Sequence, residues 1–269
     1  MFGVIFGQVS SGTLMGLFLI TLIYPDVEAR IRNLPKIISF LQSNYSDGDE
    51  LAVVINVPAA KCKTRMKPDQ DFLQDDPAWR VKHAVNSTSR VYRGQQLIAA
   101  RPKPINKASS YHPEYLLLIQ STPSNKTSFN TPLKKLLNKD KHGCVVFYTF
   151  NSPCVNTCST PGGPYNLLPA LDLLKEHKGP KAFVFSRVKK REVGSTSKKN
   201  KPLWHCYRIG KHMYATMTVW DNYESQVRWE ENVREINARV PLHRCEDGKC
   251  VHCVQDHEAD GRCIHNTGI

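Results

Sequence analysis

The sequence is short of negative charge. It holds 24 Asp and Glu against 37 Lys and Arg, for a net charge of +13 and a pI near 9.3. Such a surplus suits polyanionic partners, whether nucleic acid, an anionic membrane or a sulfated matrix, or serves solubility alone; it does not constrain the fold. Long apolar runs are also scarce. Leu14 to Ile23 is nearly unbroken, but it is too short to span a bilayer comfortably. No second segment is long enough to cross a membrane, so the mature chain is expected to carry no stable span. No internal repeat recurs, which argues against a solenoid or propeller. The first 29 residues contain no Lys or Arg.

What stands at the N-terminus is a secretory pattern without its usual basic start. Val27 and Ala29 follow the apolar run, where the small residues of a signal-peptidase site belong. Residues 1–29 therefore read as a signal peptide, 30–240 as the main domain and 241–269 as a Cys/His-rich C-terminal tail. The competing readings of the apolar run are a buried helix or a signal anchor. Cleavage after Ala29 removes Asp26 and Glu28 and raises the charge to +15. The protein is expected to be secreted. Sequons at Asn44, Asn86 and Asn125 would then mark glycosylated surface loops.

Ile37, Ile38 and Leu41 lie at helical spacing behind Pro35. Leu51–Val57 and Val91–Ala99 read as strands, with a polar, irregular stretch over 60–90 between them. Pro113 fits the first turn of a helix opened by His112, and Thr131 caps a short helix. Cys144–Phe150 is a strand that runs into Asn151-Ser152-Pro153-Cys154, which reads as a strand-to-helix junction. A helix over 167–177 and a strand over 181–188 follow. Residues 189–201 form a basic loop. Leu203–Ile209 and Met213–Val219 read as two strands turned at Gly210-Lys211. The last long helix, 221–239, shows the stripe Trp229, Val233, Ile236 and Val240. This order predicts an α/β fold with a mixed sheet of about five strands flanked by helices.

Two motifs carry chemistry: His112-Pro113-Glu114, and Pro153-Cys154-Val155-Asn156-Thr157-Cys158. One neutral imidazole and two thiolates supply three ligands of a tetrahedral zinc and leave a position for water. Cysteines four apart share one side of a helical turn. Glu114 is left to move protons rather than bind metal. The competing reading puts Cys154 or Cys158 in a disulfide.

With the strand Val145–Phe150 feeding the second motif, these residues resemble the cytidine deaminase-like superfamily. Within it they resemble the AID/APOBEC-type deaminases, and in particular their secreted group. A His-x-Glu triplet followed by Pro-Cys and a second cysteine is the zinc nucleobase-deaminase signature. The resemblance implies a cytidine deaminase-like three-layer sandwich over 30–240. It implies zinc on His112, Cys154 and Cys158, with Glu114 as the proton shuttle. Ser152 and Pro153 would rim the pocket, and Phe150 or Asn151 would meet the base. The implied reaction is hydrolysis of cytosine to uracil in single-stranded DNA or RNA, or in a free nucleotide.

Three features depart from the family pattern. Residues 121–142 read as an insertion with an extra helix. The basic loop stands where the family has a helix between its fourth and fifth strands, so the last two strands are expected to form a hairpin. Phe150-Asn151 replaces the family's tryptophan before Ser-Pro-Cys.

Lys189, Lys190, Arg191, Lys198 and Lys199 of that loop, with Trp204, Tyr207 and Tyr214 beyond it, are candidates to track a nucleic-acid backbone and stack bases, or are solvated surface. In the tail, Cys245, Cys250, Cys253 and Cys263 suit two disulfides, in any of three pairings, or with the interspersed histidines a second, structural zinc. Cys62 and Cys206 are candidates for a further bridge, leaving Cys144 as a buried thiol. His83, His142, His177, His205 and His212 read as surface or satisfied polar residues. The alternative function class is a non-catalytic secreted basic protein that binds polyanions on a disulfide-stabilised fold.

Overall fold

The computed structural model describes residues 31–46, 50–107, 109–120, 130–188, 204–209, 212–217, 220–265 and 267–269. The expected signal peptide, Asn125 and the basic loop 189–201 lie outside the described residues, and the side chains of 204–209 and 212–217 are likewise outside.

The chain begins with helix α1 (Leu34–Tyr45), whose Ile37, Ile38 and Leu41 are buried as the spacing required. Strand β1 (Ala52–Val57) is buried at every position. Residues 60–90 are more regular than their polarity suggests. They form α2 (Ala60–Lys63), a 3-10 turn (Gln70–Leu73) and α3 (Ala78–Asn86). Cys62, Phe72, Leu73, Val81 and Val85 point into the core, whereas Met66 and Trp79 are exposed. The expected single strand over 91–99 is two, β2 (Val91–Arg93) and β3 (Leu97–Ala100), paired antiparallel.

A small hairpin, β4 (Lys103–Asn106) and β5 (Ser109–Tyr111), leads into α4 (Pro113–Leu118). The extra helix is α5 (Pro132–Leu137), capped as expected by Thr131, whose side chain accepts from the Lys134 N–H. Then come β6 (Cys144–Asn151), α6 (Leu168–Glu176) and β7 (Lys181–Arg187). Strands β8 (Trp204–Ile209) and β9 (His212–Met217) pair with each other as a separate two-stranded sheet. Helix α7 (Trp220–Asn237) follows, and its stripe of Trp229, Val233 and Ile236, with Val240 just beyond, is buried.

The expected tail is part of the fold. Residues from 241 supply β10 (Leu242–Glu246) and β11 (Lys249–His252), the small pair β12 (Val254–Gln255) and β13 (Glu258–Ala259), and helix α8 (Gly261–Ile264). The main sheet has seven strands in the order β11-β10-β7-β6-β1-β3-β2. Strand β1 is antiparallel to both neighbours, whereas β6, β7 and β10 run parallel. The sheet strand after β7 is therefore β10, parallel to it and reached through α7. This corrects the expected hairpin in the sheet: β8–β9 exists but pairs only with itself, and the helix the family places between its fourth and fifth strands is present.

Strand β10 escapes a hydropathy reading because its central residue is Arg244, which is fully buried. Its Nε donates to the Ser186 carbonyl at 3.0 Å. Its Nη1 reaches the carbonyls of Arg262, His265 and Thr267, and Nη2 pairs with Glu246 at 2.6 Å. A buried guanidinium survives only when its donors are satisfied in this way. Asp247 and Gly248, both at positive φ, form the tight turn from β10 to β11.

Alternate residues of each strand feed two cores. Val54, Phe147, Phe183 and Phe185 face the layer of α4–α8. Val53, Ile55, Val146 and Val184 face α1–α3. The result is the three-layer sandwich. Among the described residues, no helix is long and apolar enough to cross a membrane. Asn86 is exposed at the end of α3, whereas Asn44 is half-buried within α1.

Candidate metal centre and its pocket

His112 caps α4 in extended conformation, directly after β5. The backbone change from strand to helix turns its ring toward the C-terminal end of β6. There Cys154 opens a turn in which the Cys158 and Ser159 N–H groups both donate to the Cys154 carbonyl. This is one helical turn rather than the expected helix. Pro161–Pro164 interrupts it, and α6 starts only at Leu168. An added Cβ at Gly163 would lie 2.6 Å from the Thr157 carbonyl oxygen, so only glycine lets the loop fold back. The loop brings Tyr165 to 5.6 Å from the His112 ring.

The ligand atoms of His112, Cys154 and Cys158 all lie within 4.8 Å of one another. Cys154 Sγ is 3.5 Å from His112 Nδ1. Two ligands on a tetrahedral zinc, at Zn–N and Zn–S bond lengths, sit about 3.6 Å apart. The donor set fits zinc in type and in spacing. Its hydrogen bond with Cys154, together with burial, pushes the Cys158 thiol well above its ordinary range. Two thiolates held this close require a cation.

Glu114 is buried, and its Oε2 has no hydrogen-bond partner among the described residues. Burial pushes its carboxyl up to about 7, helped by Cys154 and Glu50 and opposed by its backbone hydrogen bond and His112. A cation on the neighbouring ligands would draw that value down again.

A pocket of about 250 Å³, counted with its open mouth, is lined by Glu50, Leu51, His112, Pro113, Glu114, Phe150, Asn151, Ser152 and Cys154. Six of the seven residues singled out along 112–114 and 150–154 from the sequence line it with them: His112, Glu114, Phe150, Asn151, Ser152 and Cys154. Pro153 is buried and is not among the lining residues. Glu50 was not foreseen. It precedes β1, and the β1–β6 register carries it beside Asn151, whose Nδ2 donates to its Oε1 at 2.9 Å.

Helix α7 supports the ligand turn, a role also not foreseen. The buried Asn232 amide is 2.9 Å from the Ser159 hydroxyl, and Arg228 Nη1 donates to Asn156 Oδ1 at 3.0 Å.

The other cysteines are bridged. Cys62 pairs with Cys144, not with Cys206, so Cys144 is no free thiol. In the tail, Cys245 pairs with Cys250 and Cys253 with Cys263. With these four sulfurs consumed, a second zinc on them is excluded. His177 is buried and satisfied, its Nε2 2.7 Å from the Gly143 carbonyl, while His83 and His142 are exposed.

No curated relative and no solved structure matches the chain. A family model does match, over residues 32–267, and its description is Secreted Novel AID/APOBEC-like Deaminase 1. The match spans the sheet, both halves of the candidate metal centre and the strands of the tail. The chain therefore belongs to this family of secreted AID/APOBEC-like deaminases.

Proposed function

We propose that the protein is a secreted, zinc-dependent hydrolytic deaminase that converts cytosine to uracil in single-stranded DNA or RNA, or in a nucleotide. The observation that carries this is the convergence of His112, Cys154 and Cys158 around one point, with an unpartnered, buried Glu114 oxygen in the same pocket. Zinc held by the three ligands supplies the Lewis acidity that brings the pKa of a water toward neutrality. Glu114 moves the two protons of the attacking water in turn, accepting each on a carboxylate oxygen and passing the first to the base ring nitrogen and the second to the departing amine. Phe150 offers the base an apolar face, and Asn151 and Ser152 offer amide and hydroxyl groups. A paired base must leave its stack to enter. The N-terminal 29 residues act as the signal peptide, and Asn86 is the best-exposed glycan acceptor among the described sequons. The basic residues of 189–201 contact the phosphates of the bound strand.

Metal analysis of purified protein tests the centre. About one equivalent of zinc is expected, and it is lost when Cys154 and Cys158 become alanine. Glu114→Ala keeps the zinc and lowers turnover by about 10²–10⁴-fold. Turnover that survives this change would sink the mechanism. Sequencing a mixed RNA and DNA pool after incubation identifies the polymer and base. Neutralising Lys189, Lys190, Lys198 and Lys199 should flatten the salt dependence of nucleic-acid binding; an unchanged slope makes the loop ordinary surface.

A further inference from the structure

The pocket mouth carries charge that base deamination does not itself require. Phe150 lines the pocket, and the Arg187 guanidinium lies over its ring, 5.2 Å from the centroid. Arg187 ends β7 and is the cross-strand neighbour of Asn151. Its carbonyl accepts from the Ser152 N–H at 2.7 Å. The backbone of Arg187 is thus tied to the rim, and its side chain, though not itself among the lining residues, lies over one that is. Arg187 is exposed. Arg239, Arg244 and Arg262 pair with carboxylates; among the described residues, no carboxylate pairs with Arg187.

Two carboxylates share the pocket. Glu114 is buried, while the half-buried Glu50 is held by Asn151. A phosphate entering with its base therefore meets like charge at the Asn151 wall and a stacked guanidinium at the Phe150 wall. Guanidinium is suited to that partner: its planar fork offers phosphate two parallel N–H donors. Stacking on Phe150 restricts the side chain beforehand, so less freedom is lost on binding.

We propose that Arg187 binds the phosphate of the nucleotide whose base occupies the pocket. The site then takes phosphorylated substrates, a nucleotide or one unit of a strand, over the free nucleoside. Glu50 sets the polarity by keeping phosphate off the opposite wall. The identity of the base rests on the deaminase reading; the phosphate subsite does not.

The test is a calorimetric comparison of cytidine with CMP at low salt, on the zinc-containing full chain carrying Glu114→Gln to prevent turnover. CMP is expected to bind at least about tenfold tighter than cytidine, the range of one charge-assisted contact. Arg187→Gln should abolish most of that ratio through CMP rather than cytidine. Arg187→Lys should recover part of it, since the charge persists without the fork. With a single strand of deoxycytidines, Arg187→Gln should lower the slope of log affinity against log salt by about 0.7, one phosphate's worth. Absence of CMP binding, equal binding of the two ligands, or a ratio that survives Arg187→Gln overturns the proposal. If Arg187→Gln melts early, the lysine variant decides, and a ratio unchanged by lysine counts against the fork. Turnover by the chain with Glu114 intact is scored separately. Discrimination through Arg187 without uracil formation refutes the deaminase reading and leaves the phosphate subsite standing.

Discussion

Replacing Asn232 with alanine should weaken zinc binding although Asn232 touches no metal ligand. Its amide holds the Ser159 hydroxyl at 2.9 Å, and Ser159 in turn donates to the Cys154 carbonyl at 3.2 Å. Both Asn232 and Ser159 are buried, so the lost partner is not replaced by bulk water. A buried hydroxyl oxygen left without its donor costs about 1–3 kcal/mol. If the turn carrying Cys154 and Cys158 relaxes to recover that energy, the loss appears as metal affinity, about 10–100-fold, the usual range for groups that orient ligands. Competition against a chromophoric chelator measures it, with thermal melting of the metal-free protein as the control. Zinc affinity within about twofold of the unaltered chain would refute the reasoning, because about 1.4 kcal/mol corresponds to tenfold.

The Cys62–Cys144 bridge closes a loop of 82 residues, and its loss should cost about 4.5 kcal/mol by loop entropy; chemical denaturation of the double alanine variant checks it, and a loss below about 1 kcal/mol would contradict the estimate. Arg244→Met strands four carbonyls and Glu246; destabilisation of about 3–5 kcal/mol is expected by the same assay. His177 is held below its ordinary pKa, chiefly by burial. The unfolded chain therefore takes up a proton that the folded chain resists, and stability should fall as pH drops through about 6.5. His177→Gln should flatten that fall in melting temperature between neutral and mildly acidic pH.

The candidate metal centre was legible because its chemistry is written in short motifs, with His112 two residues from Glu114 and Cys154 four from Cys158. The central strands were legible because β1, β6 and β7 are continuous apolar runs buried on both faces. Strand β10 was hidden because Arg244 fills a core position with a charged side chain whose acceptors lie far along the chain. Helix α3 was hidden because its buried stripe is only Val81 and Val85, set among Lys82, His83 and Arg80. The partner of Cys62 could not be read from spacing, since it depends on α2 packing against the start of β6. Glu50 became visible only through pairing: once Ala52 faces Thr149 in an antiparallel ladder, the residue two earlier must arrive beside Asn151.

The sorting of the cysteines bears on how the protein must be handled and assembled. Six described cysteines are locked in bridges, while Cys154 and Cys158 remain thiols, with sulfurs close enough to share one ion. In an oxidising compartment, thiols so close together are chemically exposed to closing on each other, with an oxidant taking their two electrons and two protons. A zinc ion held there would prevent this by occupying both sulfurs. Metal would then have to arrive before oxidation is complete. Stripped protein stored in air should lose its capacity to take zinc back, and a reductant strong enough to restore it also threatens the bridges that hold the sheet together.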